Sequence, residues 1–233
     1  MKNIMKKTIL TLAIAALTGL SASAGAITVK GSDTLVILAQ KWAEVYMGKH
    51  ADVKIQVTGG GSGTGFAALQ TGSTDLCNAS RKIKAKEVGT FVTKFNARPT
   101  EYKVAVDGLS VYVNESNPVG ELSLDQLDLI FSGKVKNWKE VGGSDAPITV
   151  YSRENSSGTY EFFKEHVLKG KDFVASAQTM PGTAAVLQAV AKDKTGIGYG
   201  GAAYGAGAKH LKVKKDDASP AVEPTEETVL GQQ

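Results

Sequence analysis

Three stretches of this sequence run an extended segment into serine, threonine and glycine just before a helix-forming segment. They are Gly31-Ser32-Asp33-Thr34, residues 59–65 and residues 152–159, and Asn78-Ala79-Ser80-Arg81 is a weaker fourth case. The first backbone N–H groups of a helix have no partner inside the helix and carry partial positive charge. Glycine lets the backbone approach a ligand closely, and hydroxyl groups add donors, so such a loop is a ready anion site. Ser and Thr are also ordinary N-caps, and one loop alone says little. Four in one chain, two of them with an arginine (Arg81 and Arg153), point to an oxyanion held from several sides. Charge-assisted hydrogen bonds contribute roughly 1.5–3 kcal/mol each, while a micromolar site needs only about 8 kcal/mol net. Tight binding then requires neither a metal nor another cofactor.

The elements that must position these loops alternate between strand and helix, the pattern of an α/β protein. Residues 27–29 form a short strand, and Leu35, Leu38, Ala39, Trp42 and Tyr46 recur at helical spacing. Val53, Ile55 and Val57 alternate as a half-buried strand, and a second helix starts after the glycines at 59–65. Residues 75–79 read as a strand end, and Ile83, Val88, Phe91, Val92 and Phe95 line one side of the next helix. A long extended stretch covers 102–113. Ser123 with Gln126 makes a capping box for a helix to about Phe131, with Gly133 at its end. Residues 148–151 form a strand ahead of the helix bearing Tyr160, Phe162 and Phe163. Thr183 is expected to cap a helix over 184–192, and 197–199 is the last clear strand. In open α/β sheets such loops gather at the carboxyl ends of the strands, where ligands bind.

The ends and the charge narrow the function further. Lys2, Lys6 and Lys7 precede an apolar run over 9–20 and the small residues Ala22, Ala24 and Ala26, the pattern of a secretory signal peptide cleaved after Ala24 or Ala26. The run is shorter than the roughly twenty residues a membrane anchor needs. Its three lysines and lack of acids lower the formal charge from +4 to +1 in the mature chain, which gives no support for a nucleic-acid partner. Cys77 is the single cysteine, so no intramolecular disulfide is available, and its setting suggests a buried thiol. His50, His166 and His210 are scattered without ligand spacing, so no metal site is expected.

Enzyme patterns are missing. The loop at 59–65 lacks the Lys-Ser/Thr ending of a nucleotide P-loop, and Ser62 is followed two residues later by Thr64, so it is not a nucleophile elbow. A secreted phosphoester hydrolase using Ser62 or Ser157 stands as the alternative from the enzyme class. A surface or matrix protein on the same fold is a third reading.

The order of Gly31-Ser32-Asp33-Thr34, Gly59-Gly60-Gly61-Ser62-Gly63-Thr64-Gly65, Ala79-Ser80-Arg81 and Ser152-Arg153-Glu154-Asn155-Ser156-Ser157-Gly158-Thr159 resembles the phosphate-binding proteins of bacterial ABC transporters. So do Ile130-Phe131-Ser132-Gly133, Asn137-Trp138 and Gly196-Ile197-Gly198-Tyr199. The resemblance implies a type II-like periplasmic binding protein: two α/β lobes, two crossover strands and a central ligand cleft. Residues 1–26 would be the signal peptide, 27–105 lobe one, 106–198 lobe two, and 199–233 the return to lobe one. It implies a monomeric, non-enzymatic periplasmic receptor that binds inorganic phosphate and delivers it to a permease in the inner membrane. Another tetrahedral oxyanion (sulfate, molybdate or tungstate) is the runner-up ligand.

Residue by residue, Ser32, Thr34 and the Leu35 backbone resemble the family's first phosphate loop, and Ser62, Gly63 and Thr64 its second. Arg153, Ser157, Gly158 and Thr159 resemble the arginine and Ser-Gly-Thr turn of the opposite lobe. Ser80 and Arg81 complete the expected set, the alternative for Arg81 being a salt bridge across the cleft that helps closure. Well-known members carry aspartate where Arg81 stands, and an arginine is donor-only, so the acceptor for the proton of hydrogen phosphate passes to Asp33 as nearest candidate, beside its reading as a loop or cap residue. Asp33→Asn is then expected to weaken discrimination against sulfate. Members also continue past a segment like 224–230 into a further strand and helix of lobe one, whereas this sequence ends at Gln233, so an exposed sheet edge in lobe one is expected.

Overall fold

The computed structural model describes residues 26–204 and 207–230, and the expected signal peptide up to residue 25 lies outside the described residues. Strand β1 (Ile27–Gly31) leads into helix α1 (Asp33–Lys49), β2 (Ile55–Thr58) into α2 (Ser62–Thr71), and β3 (Leu76–Asn78) is followed by α3 (Ala85–Phe95). The three strands form one parallel sheet in the order β2-β1-β3, with Val29 opposite both Val57 and Leu76. Parallel pairing places the three loops that end these strands at the same edge of the sheet.

The second half begins with β4 (Leu109–Val113), β5 (Glu121–Ser123) and α4 (Leu124–Phe131). After a 3₁₀ turn at Trp138–Val141 come β6 (Thr149–Arg153), α5 (Gly158–His166), β7 (Gln178–Met180), α6 (Thr183–Lys192) and β8 (Gly196–Gly201). Short strands β9 (Lys209–His210) and β10 (Lys212–Lys214) and helix α7 (Glu226–Leu230) follow. A five-stranded sheet runs β7-β6-β8-β4-β9, parallel from β7 through β8 and antiparallel on both sides of β4; β5 and β10 make a separate parallel pair. The α/β class expected from the sequence is the class observed.

The expected capping box forms: Ser123 Oγ accepts the Gln126 N–H at 3.3 Å, and Gln126 Oε1 accepts the Ser123 N–H at 2.9 Å. Other expectations change. Residues 102–108 adopt no regular structure, because the strands that pair with β4 reach only residues 109–113. Thr183 is the first residue of its helix rather than its cap, which is Gly182. In the stretch expected as the return to lobe one, the described strands pair with the larger half: β8 with β4 and β6, β9 with β4, and β10 with β5. Tyr204 does reach across, its hydroxyl donating to the Asp33 carbonyl at 2.8 Å.

The main core lies on the five-stranded sheet, where Val113, Leu127, Phe131, Phe163, Ile197 and Tyr199 are wholly buried. Phe131, Phe163 and Tyr199 interlock as an aromatic cluster, with Phe163 stacked on Tyr199 at 4.1 Å between centroids. In α1 the small residues Ala39 and Ala43 are the buried ones. Leu38, Trp42 and Tyr46, which share the helical spacing, are exposed, Trp42 by 46%.

Candidate anion-binding site

Ser32 occupies the N-cap position of α1 but makes no cap bond; its hydroxyl donates to Ser80 Oγ at 2.9 Å. Ser62, the first residue of α2, is buried, accepts the Ser80 N–H at 3.1 Å and lies 3.3 Å from Ser80 Oγ. Opposite them α5 begins at Gly158, where a Cβ would come within 2.5 Å of Ser62 Oγ and 2.6 Å of Ser80 Oγ. Only glycine lets this helix start sit against Ser62 and Ser80. Beside it Thr34 Oγ1 and Thr159 Oγ1 are 2.8 Å apart, and the Gly63 N–H donates to the Ser156 carbonyl at 2.8 Å. Gly61, at φ 89°, meets the same carbonyl so closely that a Cβ would stand 2.5 Å from it. Ser157 caps α5 by accepting the Tyr160 N–H, and its own O–H remains a donor.

The structure therefore brings together Ser32, Thr34, Leu35, Ser62, Gly63, Ser80, Ser157, Gly158 and Thr159, from segments up to 125 residues apart. The Leu35 N–H lies 3.3 Å from the Ser32 carbonyl, a weak turn contact at the start of α1. Three helix N-termini meet at this cluster of hydroxyl donors, and a convergence of that kind stabilises negative charge.

Arg153 ends β6 with its side chain only 1% exposed. Its Nε and Nη2 grip the two oxygens of Glu154 at 3.0 and 2.9 Å, Nη2 also meets Asp33 Oδ2 at 3.0 Å, and Nη1 donates to Thr183 Oγ1 at 2.9 Å. Four of its five N–H groups are thus committed among the described residues, leaving one on Nη1 for an anion. Burial alone would raise the Glu154 carboxyl, but the Arg153 hydrogen bond and charge more than offset it and hold it below the usual value. Asp33 Oδ1 accepts the Gly60 N–H at 2.8 Å, so this carboxylate braces the second loop against Arg153. Glu154 and Thr183 escaped sequence reasoning. Glu154 lay next to a flagged arginine, but nothing local marks Thr183, which is 30 residues away.

Two expected ligands point elsewhere. Thr64 Oγ1 donates to the carbonyls of Gly60 and Gly61, both at 2.8 Å, closing its own loop. Arg81 forms a fork on Glu87 (Nη1–Oε2 2.9 Å, Nη2–Oε1 2.7 Å), packs 4.6 Å over the Phe66 ring and brings Nε within 3.2 Å of Glu161 Oε2. Glu87 and Glu161 together claim the guanidinium.

Among the described residues, the partners of Ser62 Oγ and Ser157 Oγ are hydroxyl and backbone groups rather than an imidazole. Burial pushes the Cys77 thiol up to about 12, so it stays protonated beneath α2 and is a poor nucleophile. Among the described residues no group of His, Cys, Asp and Glu could hold a metal ion, and no helix is long and apolar enough to cross a membrane.

Comparison with known proteins points the same way. The PBP superfamily domain matches residues 18–232. The phosphate-binding protein PstS of Pseudomonas aeruginosa is 36% identical over 223 residues, covering 90% of this chain and 69% of that protein. Its counterpart in Staphylococcus aureus is 37% identical over 206 residues, covering 85% of this chain and 62% of the relative, so the chain is markedly shorter than both. A putative phosphate ABC transporter substrate-binding protein from Clostridium perfringens, solved with bound phosphate, superposes with a TM-score of 0.80 at 31% identity, covering 89% of this chain and 81% of that one.

Proposed function

Because the chain belongs to the PBP superfamily and, within it, to the phosphate-binding proteins, we propose that it is an extracytoplasmic receptor for inorganic phosphate serving an ABC transporter. The observation that carries this reading is the meeting of Ser32, Ser62 and Ser80 with the glycine-led start of α5. It is a binding protein and not an enzyme. Phosphate enters between two lobes, 27–105 and 106–198, and the unpaired stretch at 102–108 is one crossing between them. After residue 199 the strands stay with the larger lobe, and Tyr204 reaches back to the smaller one. The finer expectations are a signal peptide cleaved after Ala24 or Ala26, a monomer in the periplasm and delivery to an inner-membrane permease.

The site has little net charge to offer. Arg153 is outnumbered by Asp33 and Glu154, which both pair with it. Attraction therefore comes from helix-terminal N–H groups and hydroxyls, whose donors are fixed before the anion arrives. Several such bonds offset the dehydration of a divalent anion. The experiment is calorimetry on protein stripped of ligand by unfolding and refolding. Phosphate is expected to bind at micromolar strength or tighter, with sulfate and molybdate at least about 100-fold weaker. Phosphate affinity no better than millimolar would sink the reading, and a preference for sulfate or molybdate would move it to the runner-up oxyanions.

A further inference from the structure

Arg81 directly follows Ser80, and Glu161 lies two residues beyond Thr159, so the two charges flank the anion site on opposite halves of the protein. Arg81 is fixed before it meets Glu161: the Glu87 fork holds its tip, the Phe66 ring supports its face, and its side chain is 9% exposed. Glu161 Oε2 receives two cations, Arg81 Nε at 3.2 Å and Lys84 Nζ at 2.8 Å. Glu87 neutralises one of these cations within its own half, and the remaining positive charge faces Glu161. Arg81 Nε is buried and makes no aligned hydrogen bond among the described residues, so charge attraction to Glu161 is what compensates it.

We infer that Glu161 is a positioning residue for the anion site, a latch whose pairs with Arg81 and Lys84 hold the two halves closed. Other contacts between the halves, such as Thr34 with Thr159 and Gly63 with Ser156, are made by groups that a bound anion would recruit for itself. The latch is made by groups outside that set, so it favours closure without consuming a ligand donor. It forms in the closed arrangement and is lost on opening, so removing it shifts the equilibrium toward the open form. Since α5 carries both Glu161 and the Gly158–Thr159 turn, the latch also fixes where that turn presents its donors.

The effect on affinity rests on the phosphate reading above; the effect on closure does not. The test uses Glu161→Gln, nearly the same shape without the charge, in a Cys77→Ser background carrying spin labels at Lys49→Cys and Lys134→Cys. Both label positions are exposed and lie on opposite halves. In ligand-free protein the interlabel distance by electron double resonance is expected to lengthen and broaden. With phosphate, stopped-flow dissociation should speed up about fivefold at low salt, with Lys84→Met giving a smaller change. The difference from wild type should shrink near 0.5 M salt, because Glu161 and Lys84 are partly open to solvent. The thermal midpoint without ligand should stay at the wild-type value, which separates a latch from a merely structural pair. An unchanged distance distribution overturns the latch, as does a dissociation rate within about twofold of wild type. If wild type itself does not bind phosphate, the functional reading falls while the distance measurement still decides the latch.

Discussion

Around the five-stranded sheet Leu127, Phe131, Phe163 and Ile197 are wholly buried, whereas the buried apolar residues around the three-stranded sheet are Val29, Ala39, Ala43, Phe66 and Ala68. Burying a large apolar side chain stabilises by about 1.5–3 kcal/mol, and the smaller half has few to bury. It instead exposes Ile37, Trp42, Val45 and Tyr46 on α1. Yet both halves supply the anion site with helix starts and hydroxyls. The difference teaches that stability and donor supply are separable. The larger half holds itself together, while the smaller half leans on it through Asp33–Arg153, Thr34–Thr159 and Tyr204 to the Asp33 carbonyl. An anion bound between them adds to those ties and stabilises the smaller half by mass action.

The sharpest way to break this comparison is at the tie that serves both halves. Arg153→Ala removes the partner of two carboxylates at once and is expected to lower phosphate affinity by at least about 100-fold in calorimetry and to cost about 3–5 kcal/mol of stability. A loss of affinity with stability unchanged would mean that Arg153 serves the anion and not the joint. Next in size, Leu127→Ala should cost about 2–5 kcal/mol in chemical denaturation, while Trp42→Ser should change stability by less than about 0.5 kcal/mol. Equal costs would mean that the outer face of α1 is covered in solution.

Thr34→Ala is a smaller perturbation. It removes one neutral hydroxyl from the joint, and the expected result is a loss of affinity of about tenfold, well short of the Arg153→Ala loss. Matching losses would make Arg153 a strut rather than a ligand. The mildest test is acid. Burial would raise Glu87, but hydrogen bonds from Arg81 and the Lys84 backbone outweigh it and hold the carboxyl below its usual value near 4.5, as Arg153 does for Glu154. Each contribution is therefore complete above about pH 4.5 and is lost as pH falls through the lowered value. Denaturation midpoints should decline in that acid range, and Glu87→Gln should flatten the part of the decline that belongs to the smaller half. A decline unchanged by that substitution would place the acid sensitivity in the larger half alone.

Much of the site was legible in the residues. A serine or glycine ahead of a helix acts on backbone groups two or three residues away, so Ser123 with Gln126 and Ser157 ahead of α5 could be placed from spacing alone. The spacing along α1 marked a helix, but the helical period reports which residues share a face, not whether another element covers it. Trp42 and Tyr46 share such a face and remain exposed. For Arg81 the residues left two readings, a ligand beside Ser80 or a salt bridge across the cleft, and its partners Glu87 and Glu161 could be named only from the fold.

The sequence by itself determined the α/β class, the order of the loops, and the hydroxyl and N–H donors they carry, because each depends on interactions within a few residues. Only the tertiary structure decided the charges. Arg153 took Asp33 from 120 residues away, Thr183 became its second support, and Arg81 paired with Glu87 and Glu161. An ion pair forms with whichever opposite charge the fold brings within a few ångströms, and chain spacing carries no record of that distance.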